Sequence, residues 1–519
     1  MKSSSMILSI DAGTQSIRAS IIDKKGTICA LVKTPVTPYF SKKAGWAEQN
    51  PTYYWEVFCA TTKQLLKENL TLKKQLIGVT VTTQRGSVIN VDKEGKPLRP
   101  AILWLDQRKA KMEAFPNWWL STAMKGIGIY SIVEHAITEC EANWIRQNEV
   151  DIWNKTHKFL FLSGYFHYKL TNRFIETKGN MVGYVPFDHK TGDWATKSDF
   201  KSKMFPIEES KLPELIGVGE VIGNITEKAA NETDIPVHLP VISAASDKAC
   251  ELLGTGTYTS KVGCLSFGTT ATFSTNIKKY KEVIPYFPPY TSAIKGCFNT
   301  EIMVYRGYWM VSWFKKEFGS REVLQAEELG IATESIFDEM IKDIPAGAMG
   351  LTLQPFWSPG IKSPGKEAKG SIIGFGDVHT KAHIYKAILE GIGYALRNGA
   401  EQTQQKTGEK ITELRVSGGG SQSDEAMQLT ANIFNLPTHR PHTFETSALG
   451  AAMLGFIGLG LHTYESAIKE MTHIKKTFYP NKKEAIVYNQ LYKEVYQQMY
   501  PRLKPIYEKI QKITGYPKI

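Results

Sequence analysis

The sequence predicts an α/β protein whose two halves restart alike, and three observations carry that expectation. The chain has 519 residues, 42% of them hydrophobic and 11% aromatic, which is more than one ordinary domain needs. Near its start, the run Ile7-Leu-Ser-Ile-Asp-Ala-Gly-Thr-Gln-Ser-Ile-Arg18 passes from apolar residues into Gly-Thr and back into strand-like ones. Half a chain later, Val262-Gly-Cys-Leu-Ser-Phe-Gly-Thr-Thr-Ala-Thr-Phe273 does the same. Third, strands come first in each half, and helices and strands then alternate, the order of a layered α/β domain.

Residues 6–10, 17–23 and 28–34 read as the opening strands of a meander, with Lys24-Lys25-Gly26 as a turn. A helical pattern follows around Tyr53–Glu68. Leu76-Ile-Gly-Val-Thr-Val-Thr-Thr83 then reads as a buried strand ending at Gln84-Arg85-Gly86. Residues 101–106 form another short strand, and 133–172 alternate helical and amphipathic patterns. Loops and small strands over Val218–Pro240 lead to the strand Val241-Ile-Ser-Ala-Ala-Ser246, with Asp247 and Lys248 directly after it. The second half carries helices near 306–318 and 381–406. A strand Leu414–Ser417 then runs into Gly418-Gly-Gly-Ser-Gln-Ser423, with a helix over Asp424–Phe434. The tail from Tyr488 to Ile510 reads as a Tyr-rich amphipathic covering helix. The halves divide at 1–257 and 258–519, as an ancient duplication with a cleft between the two domains would.

Composition narrows the classes of partner. The formal net charge is +12, but the basic residues are scattered in pairs with no long basic run. That favours anionic ligands generally over nucleic acid or a membrane surface. Cysteines 29, 59, 140, 250, 264 and 297 form no C-x-x-C pair, as expected of buried thiols in a reducing compartment. The start of the chain reaches Asp11 before a signal-peptide core could form. The apolar stretch Ala448–Leu461 is too short to span a bilayer and is punctuated by Gly450, Gly455, Gly458 and Gly460. A cytoplasmic protein is expected, with a homodimer left open.

Four constellations carry chemistry. Gly13-Thr14-Gln15 and Gly268-Thr269-Thr270 offer turns whose backbone N–H groups and hydroxyls suit an anion, so the hairpins are either a phosphate clamp or two unrelated hairpins. Asp11, ahead of the first turn, is placed to hold Mg²⁺ with substrate phosphates, or to close the turn by its own hydrogen bond. Gly418–Ser423 follows a strand and opens a helix, so N–H groups face a ligand and the glycines leave a flat surface. No G-x-x-x-x-G-K-[ST] and no G-x-G-x-x-G in a strand–helix setting occurs, which removes the Walker loop and weakens a dinucleotide site. Asp247 stands either as a base at a strand's C-terminal end or as a helix cap. Gln84, Arg85 and Trp104 also fall at strand ends, where a fork of donors beside a flat ring suits a polyol. A surface Arg and a core Trp are the plain alternatives.

Taken together, residues 6 to about 505 resemble the FGGY family of carbohydrate kinases, in the actin, Hsp70 and hexokinase superfamily. The resemblance rests on Asp11–Arg18, Gln84-Arg85, Leu103-Trp-Leu-Asp-Gln-Arg108, Asp247, Phe267-Gly-Thr-Thr270 and Gly418–Ser423. It also rests on Gly374-Phe375 followed by His383-Ile384 and Ala387-Ile-Leu-Glu390. It implies two ribonuclease H-like (actin-like ATPase) domains and transfer of the γ-phosphate of ATP to a sugar or polyol hydroxyl. By this resemblance Asp247 is the general base, and Asp11 with Asp247 serves Mg²⁺. Gly13, Thr14, Gln15, Gly268, Thr269 and Thr270 surround the ATP phosphates, and Gly419, Gly420 and Ser423 line the adenosine pocket. Gln84, Arg85, Trp104, Asp247 and Lys248 fall on the substrate side, and closure of the two halves would exclude water.

Departures from the family pattern bear on the acceptor. Glu141 stands where the first signature usually has Lys. Gly86 follows Arg85 where glycerol kinases typically have Glu, which argues against glycerol, and Gln84-Arg85 stands in place of the Met-His pair that xylulokinases typically carry near there. Lys248 replaces a common Gln or Asn, and either favours an acidic substrate or pairs with Glu251. The expected acceptor is a ketopentose of the xylulose or ribulose type. Glycerol or another short polyol is the alternative, and an actin- or Hsp70-like ATPase without sugar kinase activity is the rival from another class. An RNase H-like nuclease fits the Gly-Thr turns poorly.

Overall fold

The computed structural model describes residues 5–516 apart from 114, 359 and 361–363. The chain divides into two compact units. The first holds the residues up to Gly256 together with Lys278–Asn299 and Glu445–Thr472. The second holds Thr257–Ile277, Thr300–Phe444 and the residues from His473 onward. This differs from the contiguous division at 257/258 expected from sequence, because two later segments pack with the first unit.

The first unit's main sheet runs Val221–Asn224, Pro240–Ser243, Leu76–Thr83, Met6–Ala12, Ser16–Asp23, Ile28–Pro35. Met6–Ala12, Leu76–Thr83 and Pro240–Ser243 are parallel neighbours. Their C-terminal ends therefore share one edge, and the chain leaves them through Gly13, Gln84-Arg85 and Ser246-Asp247. Side-chain alternation along the first strand decides what covers each face. Leu8, Ile10 and Ala12 join Tyr54 and Phe58 of the helix Pro51–Glu68 in one core. Ile7 joins Ala448, Leu449 and Ala452 of the helix Thr446–Gly458 in another.

That second helix explains why 445–472 returns to the first unit. It is buried along nearly its whole length, so it needs a surface on every side. Its glycines let it approach closely. A Cβ on Gly455 would stand 3.0 Å from Thr80 and 3.1 Å from Ile7. A Cβ on Gly450 would stand 1.9 Å from the carbonyl oxygen of Cys250, and one on Gly254 2.0 Å from that of Thr446. The helices Asp247–Gly254 and Thr446–Gly458 thus touch backbone to backbone.

The second unit repeats the topology. Six strands of its seven-stranded sheet run, in order, Ile474–Phe478, Thr438–Pro441, Glu413–Ser417, Val262–Phe267, Ala271–Ile277, Phe298–Val304. The opening hairpin is antiparallel, and the next two strands are parallel to its first. A final strand is antiparallel at the far edge, as in the first unit. The long helix Lys381–Thr407 starts at a capping box between Thr380 and His383 and crosses the core. Buried Glu390 on it accepts hydrogen bonds from the Tyr488 hydroxyl at 2.9 Å and the Gly347 amide at 3.0 Å. The tail is helical over Lys482–Gln490 and Gln497–Thr514, with a π-helical turn at Leu491–Tyr496. Residues 101–106 supply only a two-residue strand, Ala101–Ile102, before the chain turns. Among the described residues no helix is long and apolar enough to cross a membrane.

Two measurements check this packing. Gly450→Val, which meets unyielding backbone, should cost about 3 kcal/mol and lower the melting temperature by several degrees. Gly126→Ala, whose added Cβ meets nothing within 4 Å, should change stability by less than about 1 kcal/mol. The carboxyl of Glu390 is pushed up by burial to about 7 from 4.5. The folded chain then keeps a proton that the unfolded chain releases, so stability falls as pH rises through that window. Glu390→Gln keeps the carbonyl acceptor, and should melt higher than the parent chain at about pH 8 and alike near pH 4.

Candidate functional site

The shared strand edge of the first unit gathers most of the residues singled out in that half. Asp11 ends the first strand and lies opposite Arg18 across the hairpin. Arg18 Nη1 stands 3.1 Å from Asp11 Oδ2, and its Nε 3.4 Å from Glu445 Oε2. One guanidinium therefore bridges two carboxylates. Burial nevertheless dominates, raising the Asp11 carboxyl to about 7 against the pull of Arg18, with Asp247 and Glu445 adding repulsion.

Asp247 is the first residue of the helix Asp247–Gly254, and the cap is Ser246, whose hydroxyl accepts from the Ala249 amide. The cap reading of Asp247 is thereby corrected: the capping oxygen belongs to its neighbour. Asp247 Oδ1 accepts from the Lys248 amide at 2.7 Å and lies 3.9 Å from Arg85 Nε. Its side chain keeps 30% of its exposure. Burial raises its carboxyl, while Arg85 and Lys248 oppose the rise. The Ser447 hydroxyl donates to its carbonyl at 3.1 Å. The start of one helix, Glu445 to Ser447, thus braces both aspartates.

Beside them runs a chain of polar contacts. The Thr14 hydroxyl donates to Gln84 Oε1 at 2.6 Å, and Gln84 Nε2 donates to the Tyr54 hydroxyl at 3.2 Å. Trp104 Nε1 reaches Thr14 Oγ1 at 3.1 Å and Gln84 Oε1 at 3.2 Å. Trp104 remains 49% exposed, so its ring, with the N–H engaged, is what it offers a ligand. The loop after it is fixed by Asp106, which takes both sides of the Arg108 fork at 2.7 and 2.8 Å. Glu48 then holds Arg108 and Arg99 at 3.0 and 2.6 Å. Gly86 has φ +68°, a left-handed backbone in which a Glu side chain would be strained. Lys248 Nζ pairs with Glu251 at 2.8 Å, the local alternative of the two weighed for it.

In the second unit, the hairpin carbonyls of Gly268 and Thr269 accept from the Tyr308 and Trp309 amides, and Thr270 donates to the Tyr305 carbonyl at 3.2 Å. Gly13 and Gly268 both avoid the left-handed region, and an added Cβ would meet only ordinary contacts, at 3.5 and 3.4 Å. Neither hairpin turn needs glycine for its own conformation. What glycine leaves there is room beside the backbone.

The triple glycine divides its labour. Gly418 has φ +82°, and a Cβ would stand 2.8 Å from Phe267 backbone. Gly420 is covered by Tyr308, 2.3 Å from an added Cβ, with Tyr308 stacked on Phe267 at 4.5 Å. Only Gly419 has nothing within 4 Å. The flat surface expected across these glycines is therefore corrected to one open position and one ring-covered one. Ser423 caps the helix Asp424–Phe434 by accepting from the Ala426 amide at 2.9 Å. Asp338 lies near Ser423, and its carboxyl is pushed up to about 6, chiefly by burial.

Sequence reasoning missed Tyr54, Glu445, Ser447, Tyr308 and Asp338 as neighbours of these positions. Arg18 alone had a local signal, since a hairpin closed at Gly13–Gln15 sets it opposite Asp11. No group of three or more His, Cys, Asp or Glu side chains able to hold a metal occurs among the described residues. Buried Asp11 and half-buried Asp247, which repels it, do fit a hard cation that takes one or two protein carboxylates.

Comparison with known proteins identifies the family. The model of the FGGY family of carbohydrate kinases, N-terminal domain, matches residues 6–254, and that of the C-terminal domain matches 263–459. A xylulose kinase of Lactococcus lactis is 28% identical over 94% of this chain and 95% of its own. A glycerol kinase of Thermococcus gammatolerans is 29% identical over 92% of this chain and 94% of its own. The crystal structure of a gluconate kinase from Lactobacillus acidophilus shares the fold with a TM-score of 0.80 at 21% identity, covering 98% of this chain and 99% of that one.

Arg18→Met removes the bridge and leaves two carboxylates facing each other. It should cost roughly 1–3 kcal/mol, seen as a melting temperature lower by several degrees near pH 8.

Proposed function

The chain belongs to the FGGY family of carbohydrate kinases, and from that premise we propose that it transfers the γ-phosphate of ATP to a hydroxyl of a ketopentose of the xylulose or ribulose type. The observation that carries the proposal is the pair Asp247 and Arg85 at the strand edge. Asp247 is a half-buried carboxylate that burial makes more basic, and it lies 3.9 Å from a guanidinium. A carboxylate in that state is suited to take the proton of the accepting hydroxyl as the new P–O bond forms. Arg85 supplies a planar set of donors for acceptor hydroxyls, and the Trp104 ring packs on the apolar face of the carbon chain.

The phosphoryl donor is assigned to the Gly-Thr turns. Room beside Gly13 and Gly268 lets backbone N–H groups approach phosphate oxygens, and Gly419 offers its open face to the nucleoside. Thr14 and Gln84 fix the Trp104 indole, so the first turn orients the acceptor side as well. Asp11 and Asp247 would hold Mg²⁺, which neutralises charge on the phosphates when bound. Positioning then does most of the catalysis.

The choice of ketopentose is supported by the likeness to xylulose kinases and by the backbone at Gly86. A glycerol-type Glu would be strained there, which disfavours the glycerol alternative. A coupled assay of ATP consumption with glycerol, erythritol, xylulose, ribulose, hexuloses and sugar acids tests the reading. The largest stimulation is expected from xylulose or ribulose. Strongest stimulation by glycerol would replace the acceptor, and ATP turnover indifferent to every acceptor would sink the kinase reading. Asp247→Ala should lose acceptor-dependent turnover by about a factor of a thousand while ATP still binds. Turnover close to that of the parent chain would remove Asp247 from the base role.

A further inference from the structure

Arg85 is held by more than Asp247. The segment Lys278–Asn299 belongs to the first unit, and it brings the short strand Tyr290–Thr291 there. The Arg85 guanidinium carbon stands 5.4 Å from the centre of the Tyr290 ring. Arg85 Nε is also 3.9 Å from Asp247 Oδ1. A carboxylate and an aromatic ring are thus both neighbours of the guanidinium.

The Tyr290 ring is itself set in place. His189 meets it edge-on, with centres 5.7 Å apart and planes at 69°, and Phe187 meets His189 in turn at 5.0 Å and 84°. His189 is 7% exposed, and its Nδ1 has no hydrogen-bond partner among the described residues. Burial pulls it down to about 4, so near neutral pH it packs as an uncharged ring. A neutral edge against Tyr290 adds no positive charge to compete with Arg85 for the π face.

We infer that Tyr290 is a positioning residue for the acceptor: its ring holds the Arg85 guanidinium where it can meet an acceptor hydroxyl. This inference rests on the kinase reading above, and it adds a determinant that sequence places in the second half of the chain.

The test uses the full chain with D-xylulose as acceptor and ATP as donor. Tyr290→Leu should raise the acceptor KM and lower kcat/KM for D-xylulose about tenfold, with the ATP KM within about twofold of the parent value. Tyr290→Phe keeps the ring face and should stay within about twofold throughout. On an Arg85→Lys background, which keeps the charge but loses the planar guanidinium, Tyr290→Leu should add less than about twofold. An unchanged acceptor KM in Tyr290→Leu would overturn the inference. So would an equal loss toward ATP, a Phe variant as damaged as the Leu one, or a full tenfold effect on the Lys background. If the parent chain shows no acceptor-stimulated ATP turnover with any acceptor, the kinase reading has failed and this inference falls with it. Activity with intact Tyr290 independence fells the inference alone.

Discussion

A carboxylate buried at the end of the first strand sets the terms for the first unit. Asp11 sits where burial, more than any other cause, raises its carboxyl to about 7, so its charge is costly there. Arg18 relieves part of that cost from across the hairpin, and Arg18 in turn reaches Glu445. Because Glu445 stands at the start of a helix that also binds the Asp247 peptide through Ser447, one arrangement fixes both aspartates. The backbone contact at Gly254 and Gly450 is what lets that helix stand so close. Three positively charged side chains, Arg18, Arg85 and Lys248, balance the cluster without quenching it, since both aspartates keep raised pKa values.

The two units share a topology and differ in what their matching turns do. In the first, the Gly-Thr hairpin hands its Thr14 hydroxyl to Gln84 and, through it, to Trp104. In the second, the corresponding carbonyls anchor the start of the helix Trp309–Phe318, and the neighbouring glycines are read by Tyr308. A repeated backbone has thus been given unequal tasks: polar side-chain contacts in one copy, and an aromatic-backed glycine turn in the other. The unit that carries Asp11 and Asp247 also recruits the late segments 278–299 and 445–472.

Much of the fold was legible because it rests on local patterns. Alternation in Ile7–Arg18 and Val262–Phe273 marked both hairpins, and Ser423 followed by the periodic run to Phe434 marked a helix start that agrees with the structure. Family membership follows from motifs of the same local kind, at Asp11–Arg18, Phe267–Thr270 and Gly374–Glu390. The misreadings also have physical causes. The strand expected over 101–106 ends at Ile102 because Asp106 folds back onto Arg108 and the Ala47 amide, a tertiary choice that overrides a strand-like composition. The flat glycine surface was misjudged because nothing near Gly420 announces the Tyr308 ring.

The sequence by itself determined the α/β class, the repeated Gly-Thr hairpins and the kinase family, since strand alternation and turn chemistry are written in neighbouring residues. Only the tertiary structure decided which late segments complete the first unit. It also decided that Ser246 rather than Asp247 caps its helix, that Lys248 turns to Glu251, and that the Tyr290 ring faces Arg85. Those outcomes depend on burial and on contacts between residues far apart in the chain. An apolar, glycine-punctuated helix declares that it will be buried, but not which sheet it will find.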